Sequence, residues 1–154
     1  MKLYLDMDGV LVDFLGHVEK CQFFRKNGKV DWDKVIDKGP QFWNEMEWMP
    51  EAEKAFNELF LLSESGKFEL FILSAVNFPT GVEGKKLWIQ THTKFPLENV
   101  IIVSHSEDKS KYASPDSILV DDREKCLIPF KEAGGKVILF KNWEEALGEI
   151  KQVL

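Results

Sequence analysis

The chain has 154 residues, of which 44% are apolar and 30% charged, and its formal net charge is −6. These values are typical of one soluble globular domain and exclude a disordered chain. No run approaches the ~18 apolar residues of a membrane span, and an acidic chain without a basic block is unsuited to binding a nucleic-acid polymer. We therefore expect a single domain over residues 1–154 with neither a membrane nor a nucleic-acid partner, as a monomer or a homodimer.

Short apolar runs alternate with segments of helical periodicity along the chain. Strands are predicted at the apolar runs 2–5, 68–73, 100–103, 118–120 and 136–140. Helices are predicted over 51–65, 84–95 and 123–133, where Pro129 would interrupt the last of these, and after Asn142, which can cap a final helix. The alternation predicts an α/β fold, a doubly wound, Rossmann-like parallel sheet of about five strands with helices on both faces.

Residues 16–50 depart from this alternation. They contain no clear strand and are rich in phenylalanine and tryptophan. We interpret this segment as a small helical cap inserted after the first strand.

The two cysteines, Cys21 and Cys126, are too few for a disulfide framework and lack metal-binding spacing. Near the amino terminus, Asp6 interrupts the apolar stretch that a signal peptide would need. We interpret both thiols as small buried hydrophobic groups in a reducing compartment, which predicts a cytoplasmic protein.

Acidic and hydroxyl side chains follow the predicted strands, at the end where doubly wound folds bind ligands. Asp6 and Asp8 follow the first strand, Ser74 follows the second, and Asp121 and Asp122 follow the fourth. Clustered carboxylates repel one another, and a cation relieves that repulsion. Because carboxylate oxygens suit Mg²⁺, we predict a magnesium site whose candidate ligands are Asp6, Asp8, Asp121 and Asp122. A magnesium ion at such an edge most often serves a phosphate.

These residues also carry a family resemblance. The segment DMDGV (6–10) after an apolar strand resembles the first motif of the haloacid dehalogenase superfamily of phosphohydrolases, and ILVDD (118–122) resembles its fourth. Ser74 at the end of FILS resembles the second motif, and a lysine within DKSK (108–111) would be the third. The motifs occur in the superfamily's order and extend over the whole chain.

Within that superfamily the sequence is most similar to the 5′(3′)-deoxyribonucleotidase-like group. The first motif continues as DGVLVDF (8–14), the fourth reads LVDDR (119–123), and QFW (41–43) precedes MPEA (49–52), where Glu51 replaces a glycine of the group. The resemblance implies a Mg²⁺-dependent phosphomonoesterase that acts on nucleoside monophosphates.

The resemblance also implies a role for each motif residue. Asp6 would attack phosphorus and form an aspartyl-phosphate. Asp8 would protonate the leaving alkoxide, later activate water, and bind Mg²⁺ through its main-chain carbonyl. Ser74 would donate a hydrogen bond to a phosphoryl oxygen.

The third motif leaves a choice between two lysines. Lys109 and Lys111 could each neutralise phosphoryl charge, and the Lys-Ser pair at 109–110 favours Lys109 because it resembles a Lys-Thr pair of the group. In the fourth motif, Asp122 is favoured as the direct Mg²⁺ ligand, with Asp121 adjacent to it.

Substrate contacts are predicted at the first two motifs and at the aromatic pair. A nucleobase would stack on at least one of Phe14, Phe42 and Trp43, although these aromatics could equally form the core of the cap. The predicted substrate-binding residues are Gly9, Phe14, Phe42, Trp43, Ser74 and Ala75.

Two other hypotheses remain open on the sequence. The same chemistry could act on a sugar phosphate or another small phosphometabolite, with the aromatic cap excluding water. Alternatively, the chain could be a non-catalytic binding module on a phosphatase fold, which would bind its ligand with Mg²⁺ and not hydrolyse it. The presence of every catalytic motif favours an enzyme.

Overall fold

Five parallel strands form one sheet in the order β3-β2-β1-β4-β5, in a computed structural model that describes residues 1–154. The strands are β1 (Lys2–Leu5), β2 (Glu69–Ala75), β3 (Val100–Val103), β4 (Ser117–Asp121) and β5 (Lys136–Leu139). Every neighbouring pair runs parallel. The predicted doubly wound sheet is therefore confirmed.

Seven α-helices precede, connect or follow the strands. They are α1 (Phe14–Cys21), α2 (Trp32–Lys38), α3 (Pro40–Asn44), α4 (Ala52–Glu64), α5 (Pro79–His92), α6 (Glu124–Glu132) and α7 (Trp143–Val153). Two 3₁₀ helices, Leu97–Asn99 and Ser106–Tyr112, flank β3. Asn142 caps α7 as predicted, because its Oδ1 accepts the N–H of Glu145 at 2.9 Å. Pro129 lies within α6 and does not end it.

Alternate residues of the central strands face two separate hydrophobic clusters. On one face, Leu3 and Leu5 belong to a large cluster that includes residues of α4, α5 and α7. On the other face, Tyr4 belongs to a smaller cluster with Leu127 and Phe130 of α6. Burial on both faces explains why the strand sequences are uniformly apolar. None of the helices is long and apolar enough to cross a membrane.

The end of β2 and both ends of α5 differ from the prediction. The second strand continues past Leu73, so Ser74 lies within β2, in register with Ile102 of β3, and does not follow the strand. Helix α5 begins at Pro79, five residues before the predicted start, since proline suits the first turn of a helix. It ends at His92, so the predicted end at residue 95 is also wrong.

The segment 16–50, which we call the cap lobe, contributes no strand to the sheet. It holds most of α1 and all of α2 and α3, with one isolated bridge between Phe24 and Val30. Just after it, Glu51 has φ +64°, in the left-handed region. This conformation costs a residue with a Cβ roughly 1–2 kcal/mol, a cost that a glycine at this position would not have.

The two cysteines are free thiols with different surroundings. Cys126 is buried as predicted, whereas Cys21 is only partly buried. Cys21 lies in the cap lobe, 3.6 Å from Nε2 of His17. The interpretation of both thiols as buried hydrophobic groups is therefore wrong for Cys21.

Candidate active site

The carboxyl edge of the sheet brings three of the predicted acidic residues together. Asp6 follows β1 and Asp121 ends β4, and these strands are neighbours. Oxygen atoms of Asp6, Asp121 and Asp122 all lie within 4.8 Å of one another. Gly9, at φ +79°, permits this approach, since a Cβ there would lie 2.3 Å from Oδ2 of Asp122.

Lys109 joins two of these carboxylates. Its Nζ donates to Oδ1 of Asp6 at 2.9 Å and to Oδ2 of Asp121 at 2.7 Å, and its side chain is almost fully buried. Burial by itself would lower the pKa of this ammonium, but the two adjacent carboxylates raise its pKa above the ordinary value. Lys109 is therefore held as a cation.

The alternative lysine lies outside the site. The side chain of Lys111 is 73% exposed and pairs with Asp108 at 3.4 Å. Both residues belong to the 3₁₀ helix Ser106–Tyr112, in which only Lys109 is buried. Of the two predicted lysines, the structure therefore brings Lys109, and not Lys111, to the acidic edge.

The acidic cluster fits a magnesium ion. Burial, and then Asp6, raises the pKa of Asp121, and the same causes together with Asp121 raise the pKa of Asp122 to about 7. A divalent cation would relieve this repulsion, and carboxylate oxygens are its preferred donors. Oδ2 of Asp121 already accepts from Lys109, and its Oδ1 accepts the N–H of Arg123 at 3.0 Å. The side chains of Asp6 and Asp122 would then be the candidates for direct ligands.

In the absence of metal, the stability of the protein is expected to fall as the pH rises from about 4 to about 7. Asp122 keeps its proton in the folded state up to a pKa of about 7, whereas in the unfolded chain its pKa returns to 3.8. The folded state then binds more protons, so raising the pH favours unfolding, and Mg²⁺ bound to the ionised carboxylates should reverse the trend. The melting temperature in EDTA and in Mg²⁺ across this pH range measures both effects.

Asp122→Asn is the matched control, because it removes the titrating group and a magnesium ligand together. The difference in melting temperature between wild type and Asp122→Asn should therefore change with pH in EDTA. A difference that stays constant over this range would contradict the raised pKa of Asp122.

A second buried lysine, which the sequence analysis missed, reaches the same edge from α5. Lys85 is fully buried, and its Nζ donates to Oδ2 of Asp8 at 2.9 Å and to Oγ of Ser74 at 2.6 Å. An ammonium only donates, so the Ser74 oxygen accepts this bond and its hydroxyl hydrogen remains free for another acceptor. Oδ1 of Asp8 is buried without a hydrogen-bond partner. Burial raises the pKa of Asp8, although Lys85 opposes the shift.

A sequence signal for Lys85 did exist. The buried residues of α5 include Gly81, Lys85, Trp88 and Ile89, which recur at intervals of three and four. A lysine within the apolar stripe of an amphipathic helix is unusual, because lysine is rarely buried unless it is paired. The position of Lys85 in the sequence therefore indicated a buried lysine that is paired with an acidic group.

A cleft of about 1100 Å³ opens at this edge. Four of the predicted substrate-binding residues line it, namely Gly9, Phe14, Trp43 and Ala75, together with Asp8 and Asp122. Ser74 does not line the cleft; it is buried, and its Oγ accepts from Lys85.

The aromatic residues of the cap lobe are distributed differently from the prediction. Phe42, a predicted substrate contact, is fully buried and does not line the cleft. Its ring packs against His17 and, at 85°, against Trp43, and it belongs to the large hydrophobic cluster that also contains Leu3 and Leu5. Trp32, which the prediction did not include, lines the cleft, is 43% exposed and stacks on Phe14 at 5.6 Å. The hydropathy of the sequence does not show which of Phe42 and Trp32 is buried and which lines the cleft.

No family model matches this chain, but the chain is similar to a curated protein and to solved structures. A protein of Vibrio phage KVP40 named "Putative 5′(3′)-deoxyribonucleotidase" is 29% identical over 125 residues. The match covers 80% of this chain and 66% of the relative, so the chain spans just under two thirds of the relative's length. A crystal structure of a HAD family enzyme from Bacteroides thetaiotaomicron, a mutant in complex with magnesium and inorganic phosphate, has a TM-score of 0.52 at 15% identity. It covers 94% of this chain and 97% of that one.

The sheet order and the acidic carboxyl edge define a doubly wound α/β protein of Rossmann-like class. The chain has the fold of the Bacteroides enzyme and is similar in sequence to the phage protein, and the four motifs at that edge resemble those of the haloacid dehalogenase superfamily.

Proposed function

We propose that this protein is a Mg²⁺-dependent phosphomonoesterase that hydrolyses nucleoside monophosphates through an aspartyl-phosphate on Asp6. The proposal rests on two carboxylates, Asp6 and Asp8, that lie at one edge of the sheet and differ in their hydrogen-bond partners. Asp6 is bound by a buried cation, Lys109, while Asp8 keeps one oxygen without a partner. The name of the phage relative and the magnesium and phosphate of the Bacteroides structure support it.

The two carboxylates would divide the chemistry between them. Asp6 would attack phosphorus, so that a bond forms from its oxygen to phosphorus while the bond to the departing alcohol breaks. Asp8, whose pKa is raised by burial, would give a proton to that alkoxide. It would then take a proton from the water that hydrolyses the aspartyl-phosphate. The free Oδ1 of Asp8 is the atom available for both transfers.

The remaining residues would stabilise phosphoryl charge. Lys109, which contacts Asp6, would act on the phosphoryl oxygens. The free hydroxyl hydrogen of Ser74 would do the same: Ser74 does not line the cleft, but Lys85 joins it to Asp8, which does. A magnesium ion held by Asp6, Asp122 and the main-chain carbonyl of Asp8 would supply further charge neutralisation. Asp121 would keep Lys109 in place.

The lining of the cleft favours a nucleotide over a smaller phosphate ester. Phe14, Trp32 and Phe78 line it together, and Trp32 is substantially exposed. An aromatic platform of this kind stacks on a base with roughly 1–3 kcal/mol per base. The free thiols of Cys21 and Cys126 are consistent with a cytoplasmic location.

The test is phosphate release from a panel of 5′- and 3′-deoxyribonucleotides, ribonucleotides and sugar phosphates, in Mg²⁺ and in EDTA. We expect release that requires Mg²⁺ and is greatest with nucleotides. Release from sugar phosphates alone would keep the mechanism and refute base recognition. No release from any ester by folded protein with bound Mg²⁺ would refute the enzyme and favour a binding module.

A further inference from the structure

We propose that Trp43 is a positioning residue, which acts on Asp8 and Ser74 through Lys85 and so couples the cap lobe to the catalytic edge. The proposal rests on the proposed phosphatase function, and it replaces base stacking as the role of Trp43. Three features of the structure lead to it: the enclosure of the ring, the ammonium that lies over it, and the two groups that this ammonium holds.

The ring of Trp43 has no open face for a base. Although Trp43 lines the cleft, only 1% of it is exposed. Phe14 stacks on it at 5.6 Å with an interplanar angle of 16°, and Phe42 packs at 5.3 Å with its plane at 85°. The backbone of α5 closes another side, since a Cβ on Gly84 would lie 2.4 Å from Cδ1 of Trp43. A substrate base would have to displace one of these neighbours.

Lys85 connects this enclosed ring to the chemistry. Its Nζ lies over the Trp43 ring, 4.9 Å from the centroid. The same ammonium donates to Oδ2 of Asp8 and to Oγ of Ser74, and the lysine is fully buried. A cation over an indole face is attracted most strongly when both are desolvated, as they are here. The ring is therefore the third contact that fixes the ammonium, and the one that comes from the cap lobe.

The expected consequence is an effect of Trp43 on turnover that does not depend on the substrate. If the ring is lost, the Lys85 ammonium gains freedom, and the bonds that orient Asp8 and Ser74 loosen with it. Proton transfer and phosphoryl stabilisation would then suffer for every phosphate ester. A residue that only stacked on the base would instead change KM, and only for nucleotides.

The experiment measures kcat and KM of Trp43→Leu and Trp43→Phe with 4-nitrophenyl phosphate and with thymidine 5′-monophosphate. We expect Trp43→Leu to lower kcat roughly tenfold on both substrates, the order of a desolvated cation–π contact, with KM changed by less than about threefold. Trp43→Phe keeps a weaker aromatic face and should fall between Trp43→Leu and wild type. Trp32→Ala is the comparison, which should raise the KM of the nucleotide.

A double-mutant cycle tests whether the effect passes through Lys85. Trp43→Leu combined with Lys85→Met should have the kcat of Lys85→Met alone, because the ring has no ammonium left to position. Trp88→Leu controls for the loss of a buried indole on α5. Trp88 packs against Trp48 and donates to the carbonyl of Met46, so its loss should lower the melting temperature and leave kcat nearly unchanged.

The outcomes separate the two proposals. Wild-type protein that releases no phosphate from either substrate would overturn the proposed function and this inference with it. Active wild type would leave the phosphatase standing, and the role of Trp43 would then be overturned by either of two results. One is that Trp43→Leu raises only the KM for the nucleotide and leaves kcat unchanged. The other is that the kcat losses of Trp43→Leu and Lys85→Met multiply in the double variant.

Discussion

Asp6→Asn is expected to abolish phosphate release while the fold is retained. An amide oxygen is a poor nucleophile, so no aspartyl-phosphate can form, and loss of a nucleophile typically costs roughly 10³-fold or more in kcat. Asparagine has nearly the same shape, and its side-chain oxygen can still accept from Lys109 in the place of Oδ1 of Asp6. Steady-state phosphate release and acid-quench trapping of phosphate on the protein measure the two aspects of the defect.

Asp13→Asn is the matched control for Asp6→Asn. Asp13 also lines the cleft, but its carboxylate caps α1, where Oδ1 accepts the N–H of Gly16 at 3.0 Å. Asparagine caps a helix about as well, so this variant should retain activity within a fewfold of wild type. Near-normal, Mg²⁺-dependent turnover by Asp6→Asn would refute the aspartyl-phosphate mechanism.

Lys109→Met is expected to reduce both activity and stability. Its removal leaves Asp6 and Asp121 as buried carboxylates without their cation, and breaking a buried pair in this way costs about 3–5 kcal/mol of unfolding free energy. Loss of a charge aimed at the phosphoryl group should lower kcat by roughly 10²–10³-fold. Urea unfolding and steady-state kinetics measure the two losses, and the loss of stability should be greater in EDTA than in Mg²⁺.

Lys111→Met separates this effect from a general loss of positive charge. Lys111 lies two residues from Lys109 but is exposed, and its pair with Asp108 is a surface contact worth at most about 1 kcal/mol. The variant should therefore have nearly wild-type stability and turnover. If Lys109→Met and Lys111→Met lost stability and turnover equally, the burial of Lys109 would not be the cause of the losses.

Much of the fold could be predicted from local sequence. The bounds of β1 and β3 match the apolar runs 2–5 and 100–103, and α6 matches its periodic segment to within one residue. Strands buried on both faces must be apolar at every position, and this makes short runs recognisable. The acidic edge was predictable for a topological reason: parallel strands end at the same side of the sheet, so the residues that follow β1 and β4 share one edge. They meet there because β1 and β4 are neighbouring strands.

The sequence by itself thus determined the α/β class, the order of the motifs and the carboxylates at one edge. Only the tertiary structure decided which of the two lysines, and which of the aromatic side chains, lie at the site. Lys109 and Lys111 differ in burial, and Phe42 and Trp32 differ in which face of the cap lobe they occupy. Lys85 meets Asp8 across 77 positions of the chain. Burial and pairing of this kind depend on how elements pack, which local residue preferences do not encode.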